Sequence, residues 1–377
     1  MKSDARLVVG ASTKNEDLLW ATRFFAPDTF IFLETSDRKV IVVNPLEYDR
    51  ARSESSVFTV LLDTELRGNI GKQRLPINES VLLLLREFNV LSVEVSSQFP
   101  ASTYAHLLEN GIAVTFSDPL FPERAIKTDD ELADIVHAQK SMEEVFSEML
   151  SILALAEIRD GKVWWKSGLG GAYVTSEMLR TIFDTKLMER NCVCDATIIA
   201  SGHQAANPHC MGYGPLFANT PIVFDMFPRS RKKWYWSDMT RTVVKGKLTT
   251  EARAMYDAVY DAQARALEMV RPGIDGYDIH SFVKQELEGR GFRTGQTNGK
   301  WEGFFHGTGH GVGLEIHEPP SIGNSRGHVL KPGHVITIEP GLYYDGIGGV
   351  RIEDTVLVTE SGYRNLASTS KELIEIP

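Results

Sequence analysis

Four carboxylates stand inside apolar, strand-like runs in the second half of this 377-residue chain. They are Asp225 in PIVFDM, Asp238 in WYWSDMTRTVV, Glu339 in VITIE and Glu353 in VRIEDTVLV. A carboxylate in a buried strand is costly unless it is paired, hydrogen-bonded or bound to a metal. One alone reads as a strand-end charge facing water. Four, on four strands of one sheet, constrain the fold far more, because the strands must converge their acids on something positive.

A second stretch supplies a fitting partner. Residues 304–318, FFHGTGHGVGLEIHE, carry His306, His310 and His317, with glycines at 307, 309, 311 and 313. Imidazole is the commonest neutral metal ligand and titrates near neutral pH. Glycine lets a backbone bend tightly and approach a ligand closely. Adding His310 to the four acids gives five oxygen and nitrogen donors. Because carboxylates can bridge, the set suits two divalent cations roughly 3.5–4 Å apart. Oxygen-rich ligation with one imidazole favours Mn, Co, Fe or Zn over a thiolate zinc site. Two such cations acidify a water and polarise a carbonyl, which is amide-hydrolysis chemistry. The leaving nitrogen also needs a proton, and His209 and His317 are the candidate donors.

Composition narrows the classes. A hydrophobic content of 42% and a charged content of 24% describe an ordinary globular protein. Net charge is −10, so no nucleic-acid partner is expected. The short basic run Arg229–Lys233 reads as a solvated hairpin tip. No run of 18 apolar residues predicts a membrane span, and the apolar core of MKSDARLVVG is too short for a signal peptide. Three cysteines, Cys192, Cys194 and Cys210, form an odd, low count that points to free thiols in a reducing, cytoplasmic compartment. Cys192 and Cys194 read as core packing.

Residues 1–125 alternate strand and helix, with TFIFL and KVIVV as the clearest strands, and predict an α/β domain with a mixed or parallel sheet. The junction falls at Pro119–Lys127. Residues 126–377 predict an α+β domain. There Thr128 and Glu131 form a capping box that opens a long helix, apolar at helical spacing to Leu153. Further helices are expected over 175–189, from Thr249 or Thr250 to 270, and over 277–288. Strands are expected over 193–200, 221–226, 234–244, 335–339 and 350–358.

The order Asp225, Asp238 (in SDMTRT), His310 (in HGTGHGVGLEIHE), Glu339 (in ITIEPG) and Glu353 (in GVRIEDT) resembles that of the pita-bread metallopeptidases. That family includes methionine aminopeptidase, aminopeptidase P and the Xaa-Pro dipeptidases. The resemblance covers about residues 126–377. Residues 1–125 look like the creatinase-type N-terminal domain, which points to the proline-directed branch. The resemblance implies two metal ions (Mn, Co or Zn) bridged by Asp238 and Glu353. It implies that Asp225 chelates one metal, that His310 and Glu339 complete the other, and that Glu339 also takes a proton. His209 (in ANPHCMGYG) and His317 match catalytic histidines, and His306 and Arg351 match residues near the substrate. The implied activity is hydrolysis of Xaa-Pro dipeptides or short peptides by a homodimer, with aminopeptidase P activity on longer Xaa-Pro-Yaa peptides as the alternative. Arg351 is the candidate anchor for a dipeptide's C-terminal carboxylate.

The chain departs from the family pattern between the two aspartates. They lie thirteen positions apart rather than the usual eleven, and the usual glycine after the first is missing from DMFPRSRKKWYW. A two-residue hairpin extension is expected to leave the metals in place and to bring Arg231, Lys232 or Lys233 near the active-site mouth or a partner subunit. Competing motifs are weak. Gly323–Gly327 fits G-x-S-x-G, but Pro319, Pro320 and Pro332 crowd the strand and helix a nucleophile elbow needs. GTGHGVG lacks the strand, helix and downstream acid of a dinucleotide site. A non-catalytic binding protein on this fold would be expected to have lost metal ligands, and all five are present. His106, His137, His280, His328 and His334 read as helix or loop residues, His203 is unassigned, and Trp164-Trp165 reads as packing. Cys210 adjoins His209, so thiol reagents are expected to inhibit activity; Cys210→Ser should remove that sensitivity in an alkylation assay.

Overall fold

The structure, a computed structural model, describes residues 3–66, 75–167 and 170–377. The chain divides into two compact units, Met1–Arg124 and Ala125–Pro377.

The first unit is a six-stranded mixed sheet. Its spatial order is Thr59–Leu62, Lys39–Val43, Phe30–Thr35, Ala5–Gly10, Ser92–Val95 and Ala113–Phe116. Both faces are covered, and the period-two alternation of a strand sorts side chains between them. Leu7 and Leu33 enter one core with Leu84 and Val93, while Val8 and Phe32 enter the other with Ile41 and Phe121.

The second unit is built on two main sheets, each backed by a pair of helices, with smaller two- and three-stranded sheets beside them. The first sheet runs in the order Ile198–Ser201, Ile222–Met226, Met239–Lys245 and Ile374–Ile376. Helices Asp129–Leu155 and Ser176–Glu189 pack on it through Met142, Phe146, Leu179 and Phe183 against Phe224 and Val243. The second sheet runs in the order Glu318–Ile322, Gly309–Gly311, Val335–Ile338, Asp354–Val358 and Tyr363–Asn365. Helices Thr250–Met269 and Gly276–Gly289 cover it with Val259, Ala266, Ile279 and Val283 against Ile336 and Val356. The capping box is present: the Thr128 side chain accepts from the Glu131 backbone N–H, and the Glu131 carboxylate accepts from the Thr128 N–H.

Four expectations need correction, the first being the strand 193–200, which splits into Cys192–Val193 and Ile198–Ser201 in two different sheets. The carboxylates do not share one sheet. Asp225 lies within a strand of the first sheet and Asp238 immediately precedes another. Glu339 and Glu353 lie just outside strands of the second sheet. The expected strand 350–358 is broken at Ile352 and Glu353, where the Glu353 N–H turns across to the Thr240 carbonyl at 3.1 Å. The expected strand 234–244 begins only at Met239, because residues 228–237 peel away as a hairpin tied to the long helix. There Tyr235 OH donates to Glu131 at 2.5 Å, Ser230 Oγ donates to Asp134 at 2.8 Å, and Lys233 pairs with Asp130. Within the basic run, Arg231 and Lys232 are exposed, as expected of a solvated tip, while Lys233 docks on the helix and Arg229 pairs with Asp195.

One buried ion pair ties the start of the unit to its second sheet. Lys127 and Glu318 meet at 2.5 Å with side chains 1% and 3% exposed. Removing one partner of such a pair leaves a buried charge without its counter-ion. Lys127→Met is therefore expected to lower stability by about 3 kcal/mol. Adding Glu318→Leu should recover most of the loss, as urea unfolding of the three proteins would show.

Candidate metal centre

The donors predicted from sequence meet where the two sheets of the second unit approach. One ligating atom from each of Asp238, His310 and Glu353 falls within 4.8 Å of the others. His310 Nε2 lies 3.3 Å from Glu339 Oε1 and 3.7 Å from Asp238 Oδ2. Asp225 sits on the adjoining strand, opposite Thr240. All five line one cavity of about 550 Å³, together with His209, His306, His317 and Arg351. Arg231, Lys232 and Lys233 are not among its lining residues.

Local structure aims these side chains. His310 is carried on the short strand Gly309–Gly311, whose backbone N–H donates to Thr337 Oγ1 at 3.1 Å. Gly309 must be glycine here, since a Cβ would meet the Thr337 carbonyl oxygen at 2.0 Å. The His310 Nδ1–H donates to the Gly311 carbonyl at 3.1 Å. That bond leaves Nε2 facing the carboxylates, the orientation a metal ligand needs. Thr240 Oγ1 donates to Glu353 Oε2 at 2.7 Å and fixes that carboxylate.

The electrostatics are unevenly balanced. Burial pushes Asp238 well above its ordinary value, reinforced by Glu353, Asp225 and Glu339. Burial does the same to Glu353, with Glu339 and Asp225 adding to it. Glu339 is also raised by burial, but the His310 hydrogen bond and charge, with His306 and Arg351, outweigh this and hold it at about 2. His310 is the mirror case: burial lowers it, and Glu339 more than compensates. Asp238 Oδ1 and Glu353 Oε1 are buried with no hydrogen-bond partner among the described residues. Orphaned buried acceptors are rare and costly. Two of them, on acids crowded by like charge, fit a site for divalent cations.

Arg351 is 3% exposed and fully engaged. Its guanidinium donates to Asp225 Oδ2 at 2.5 Å, Tyr343 OH at 2.6 Å, Thr240 Oγ1 at 3.2 Å and the Pro208 carbonyl at 3.5 Å. Tyr343 OH in turn contacts His306 Nε2 at 3.1 Å, and His306 Nδ1–H donates to the Gly307 carbonyl at 2.7 Å. Arg351 therefore lines the cavity with its guanidinium held on four sides. The His317 ring lies edge-on to that of His310, centroids 4.3 Å apart. His209 is exposed on the cavity wall, its backbone N–H bonded to Asn207 Oδ1 at 3.2 Å.

Two further sequence motifs do not form sites. Ser325 follows the strand Glu318–Ile322, but no helix comes after it, so there is no nucleophile elbow. GTGHGVG holds a strand of the second sheet and opens no helix. Sequence reasoning missed Thr240 and Tyr343. Thr240 had a signal, standing two residues after Asp238 and so on the same strand face. Tyr343 had none.

The sequence profile of metallopeptidase family M24 matches residues 134–360. An Xaa-Pro dipeptidase of Pyrococcus furiosus is 31% identical over 350 residues, covering 90% of this chain and 87% of that protein. The prolidase structure from Pyrococcus horikoshii OT3 has a TM-score of 0.79 at 27% identity, covering 99% of this chain and 96% of the other. An X-Pro aminopeptidase structure from Thermotoga maritima has a TM-score of 0.80 at 22% identity, covering 99% and 98%, a likeness of fold alone. Fold and site together define a peptidase that depends on divalent metal. The chain belongs to metallopeptidase family M24, in its proline-directed branch, with an α/β first unit and a second unit of the pita-bread fold.

Outer partners that orient ligands typically contribute 10- to 100-fold to metal affinity or activity. Thr240→Val is therefore expected to weaken divalent-metal binding by about 10- to 100-fold. Glu353→Gln should lower the metal retained per chain after dialysis. Elemental analysis and metal titration check both.

Proposed function

We propose that this protein hydrolyses the Xaa-Pro bond of dipeptides and short peptides, using two divalent cations held by Asp225, Asp238, His310, Glu339 and Glu353. The observation that carries this reading is the pair of orphaned carboxylate oxygens on Asp238 and Glu353, buried beside His310 at the floor of an open cavity. Manganese, cobalt or zinc suits such a donor set. When bound, the cations supply an activated water and a Lewis acid for the scissile carbonyl.

The chain's own groups do the rest. Glu339 lines the cavity with Oε1 3.3 Å from His310 Nε2, and it is the carboxylate assigned to accept a proton in this reading. His209 and His317 line the cavity and supply donors for the leaving nitrogen. His306 is fixed from behind by Tyr343 and from its other nitrogen by Gly307, and it presents an oriented ring to the substrate. Arg351 holds Asp225, Tyr343 and Thr240 in register and so acts through them. Ile198, Phe227, Phe305 and Ile316 give the cavity apolar walls, suited to a proline ring and able to exclude water. The activity belongs to a cytoplasmic homodimer in this reading, consistent with three free cysteines.

A second reading, aminopeptidase P action on Xaa-Pro-Yaa peptides, is favoured by one observation. Arg351 is the one Lys or Arg among the residues lining the cavity, and its guanidinium is already engaged. A dipeptide's C-terminal carboxylate thus gains no free guanidinium there. Stripped enzyme reconstituted with Mn, Co or Zn should hydrolyse Xaa-Pro faster than Xaa-Pro-Yaa under the first reading. The reverse ranking selects the second, and chelator-resistant activity overturns both.

A further inference from the structure

We propose that the hairpin of residues 228–237 is a strut that sets the position of His317, and that Trp236 is the positioning residue through which it acts. The inference rests on His317 taking part in the reaction as proposed above. Trp236 makes two hydrogen bonds to consecutive carbonyls of the segment between His310 and His317. Its backbone N–H donates to Gly313 O at 2.8 Å, and its indole Nε1–H donates to Leu314 O at 3.0 Å. At the same point the Gly313 N–H donates to Glu315 O at 3.0 Å, closing a tight turn. A Cβ at Gly313 would sit 2.4 Å from Glu318 Oε2, so any side chain there would displace that buried carboxylate. The far end of the segment is held by the buried Lys127–Glu318 pair. Residues 313–318 are thus pinned at both ends, with Ile316 and His317 presented to the cavity between the pins.

The hairpin is built stiffly enough to serve. The Arg229 guanidinium lies between two indoles, 4.9 Å from the Trp234 ring centre and 5.0 Å from that of Trp236. Such cation–π contacts resist sliding of the rings. Trp234 has φ of 69°, a left-handed conformation that bulky residues seldom adopt unless their surroundings hold them there. Backbone pairing closes the loop, from Ser230 N–H to Tyr235 O at 3.0 Å and from Ser237 N–H to Pro228 O at 2.9 Å. Its other side is fastened to the long helix through Tyr235–Glu131 and Ser230–Asp134. The longer spacing between the two aspartates therefore puts two tryptophans and an arginine where they brace a catalytic loop. It does not put a cation at the cavity mouth.

Trp236→Phe is the direct test, because it keeps the ring and the backbone bond and deletes only the indole N–H. Loss of one such bond is expected to lower kcat on Xaa-Pro substrate about five- to tenfold, with KM changed less than twofold. Bound metal should be unchanged, and amide hydrogen exchange over residues 313–317 should quicken. In a His317→Ala background the same substitution should have no further effect on kcat, since the two act as one unit. An equal fall in kcat in both backgrounds, or unaltered exchange over 313–317, overturns the proposal. If Trp236→Phe does not fold, Arg229→Met removes the cation from between the rings and is judged by the same exchange measurement. A wild-type protein inactive on every Xaa-Pro substrate would defeat the functional reading, whereas the exchange data would still decide the strut.

Discussion

Gathering four carboxylates into one buried pocket is the constraint around which the second unit is arranged. Unit charges 4–5 Å apart repel by several kcal/mol once water is excluded. The chain answers part of that repulsion itself, with Arg351 against Asp225 and His310 against Glu339. It leaves Asp238 with only a longer 3.7 Å contact to His310, and Asp238 and Glu353 each keep an oxygen lacking any hydrogen bond among the described residues. A pocket meant only for stability would have been finished with another arginine or packed with apolar groups, as buried ion pairs can often be replaced without loss. Leaving the charge unbalanced at the point where a cavity opens is the arrangement that binds dications from solution.

The two-sheet layout makes that arrangement rigid. Each sheet is welded to its own helix pair by a separate apolar core, so the sheet ends meet as two fixed edges. Glu353 lies where the chain passes between them: its backbone bonds to Thr240 of the first sheet, and the next residue starts a strand of the second. Arg241 locks the same crossing from behind, donating to the Glu353 carbonyl at 2.6 Å and to the buried Asp354 at 2.7 Å. A site assembled from strand termini on two packed layers holds its donors more closely than one assembled on loops.

What the sequence disclosed, and what it hid, follows from the range of each interaction. Asp225, Asp238, Glu339 and Glu353 were legible because a charge in an apolar run is conspicuous whatever it touches. His310 was legible from its glycine-rich setting. The partners of Arg351 were not, since Asp225 lies 126 residues away and nothing local marks the pairing. The alternation in WYWSDMTRTVV imitates a continuous strand, yet Trp234 and Trp236 alternate because they enclose Arg229 from two sides. The basic run Arg229–Lys233 is exposed at Arg231 and Lys232 but tied down at Lys233, which nothing local announces. The acids that hold the hairpin, Asp130 on Lys233, Glu131 on Tyr235 and Asp134 on Ser230, sit a hundred residues earlier and read locally as an ordinary acidic helix start.

Glu131 shows how local and distant order are joined in one side chain. One of its oxygens, Oε2, accepts from the Thr128 backbone N–H at 2.8 Å and from the Thr128 hydroxyl at 3.0 Å, and so fixes where the long helix begins. The other, Oε1, accepts from Tyr235 OH and fixes where the hairpin lies on that helix. Just upstream, Lys127 pairs with Glu318, and from the hairpin Trp236 bonds to Gly313 and Leu314. The first turn of the helix is therefore connected to both ends of the segment that bears His317, by routes that share no bond. Two independent ties on a six-residue loop leave it little freedom to shift, which is what a residue must have if it is to donate a proton at a fixed distance from a reacting nitrogen. The helix start, which looks from the sequence like a matter of secondary structure alone, is in this way part of what positions the loop bearing His317.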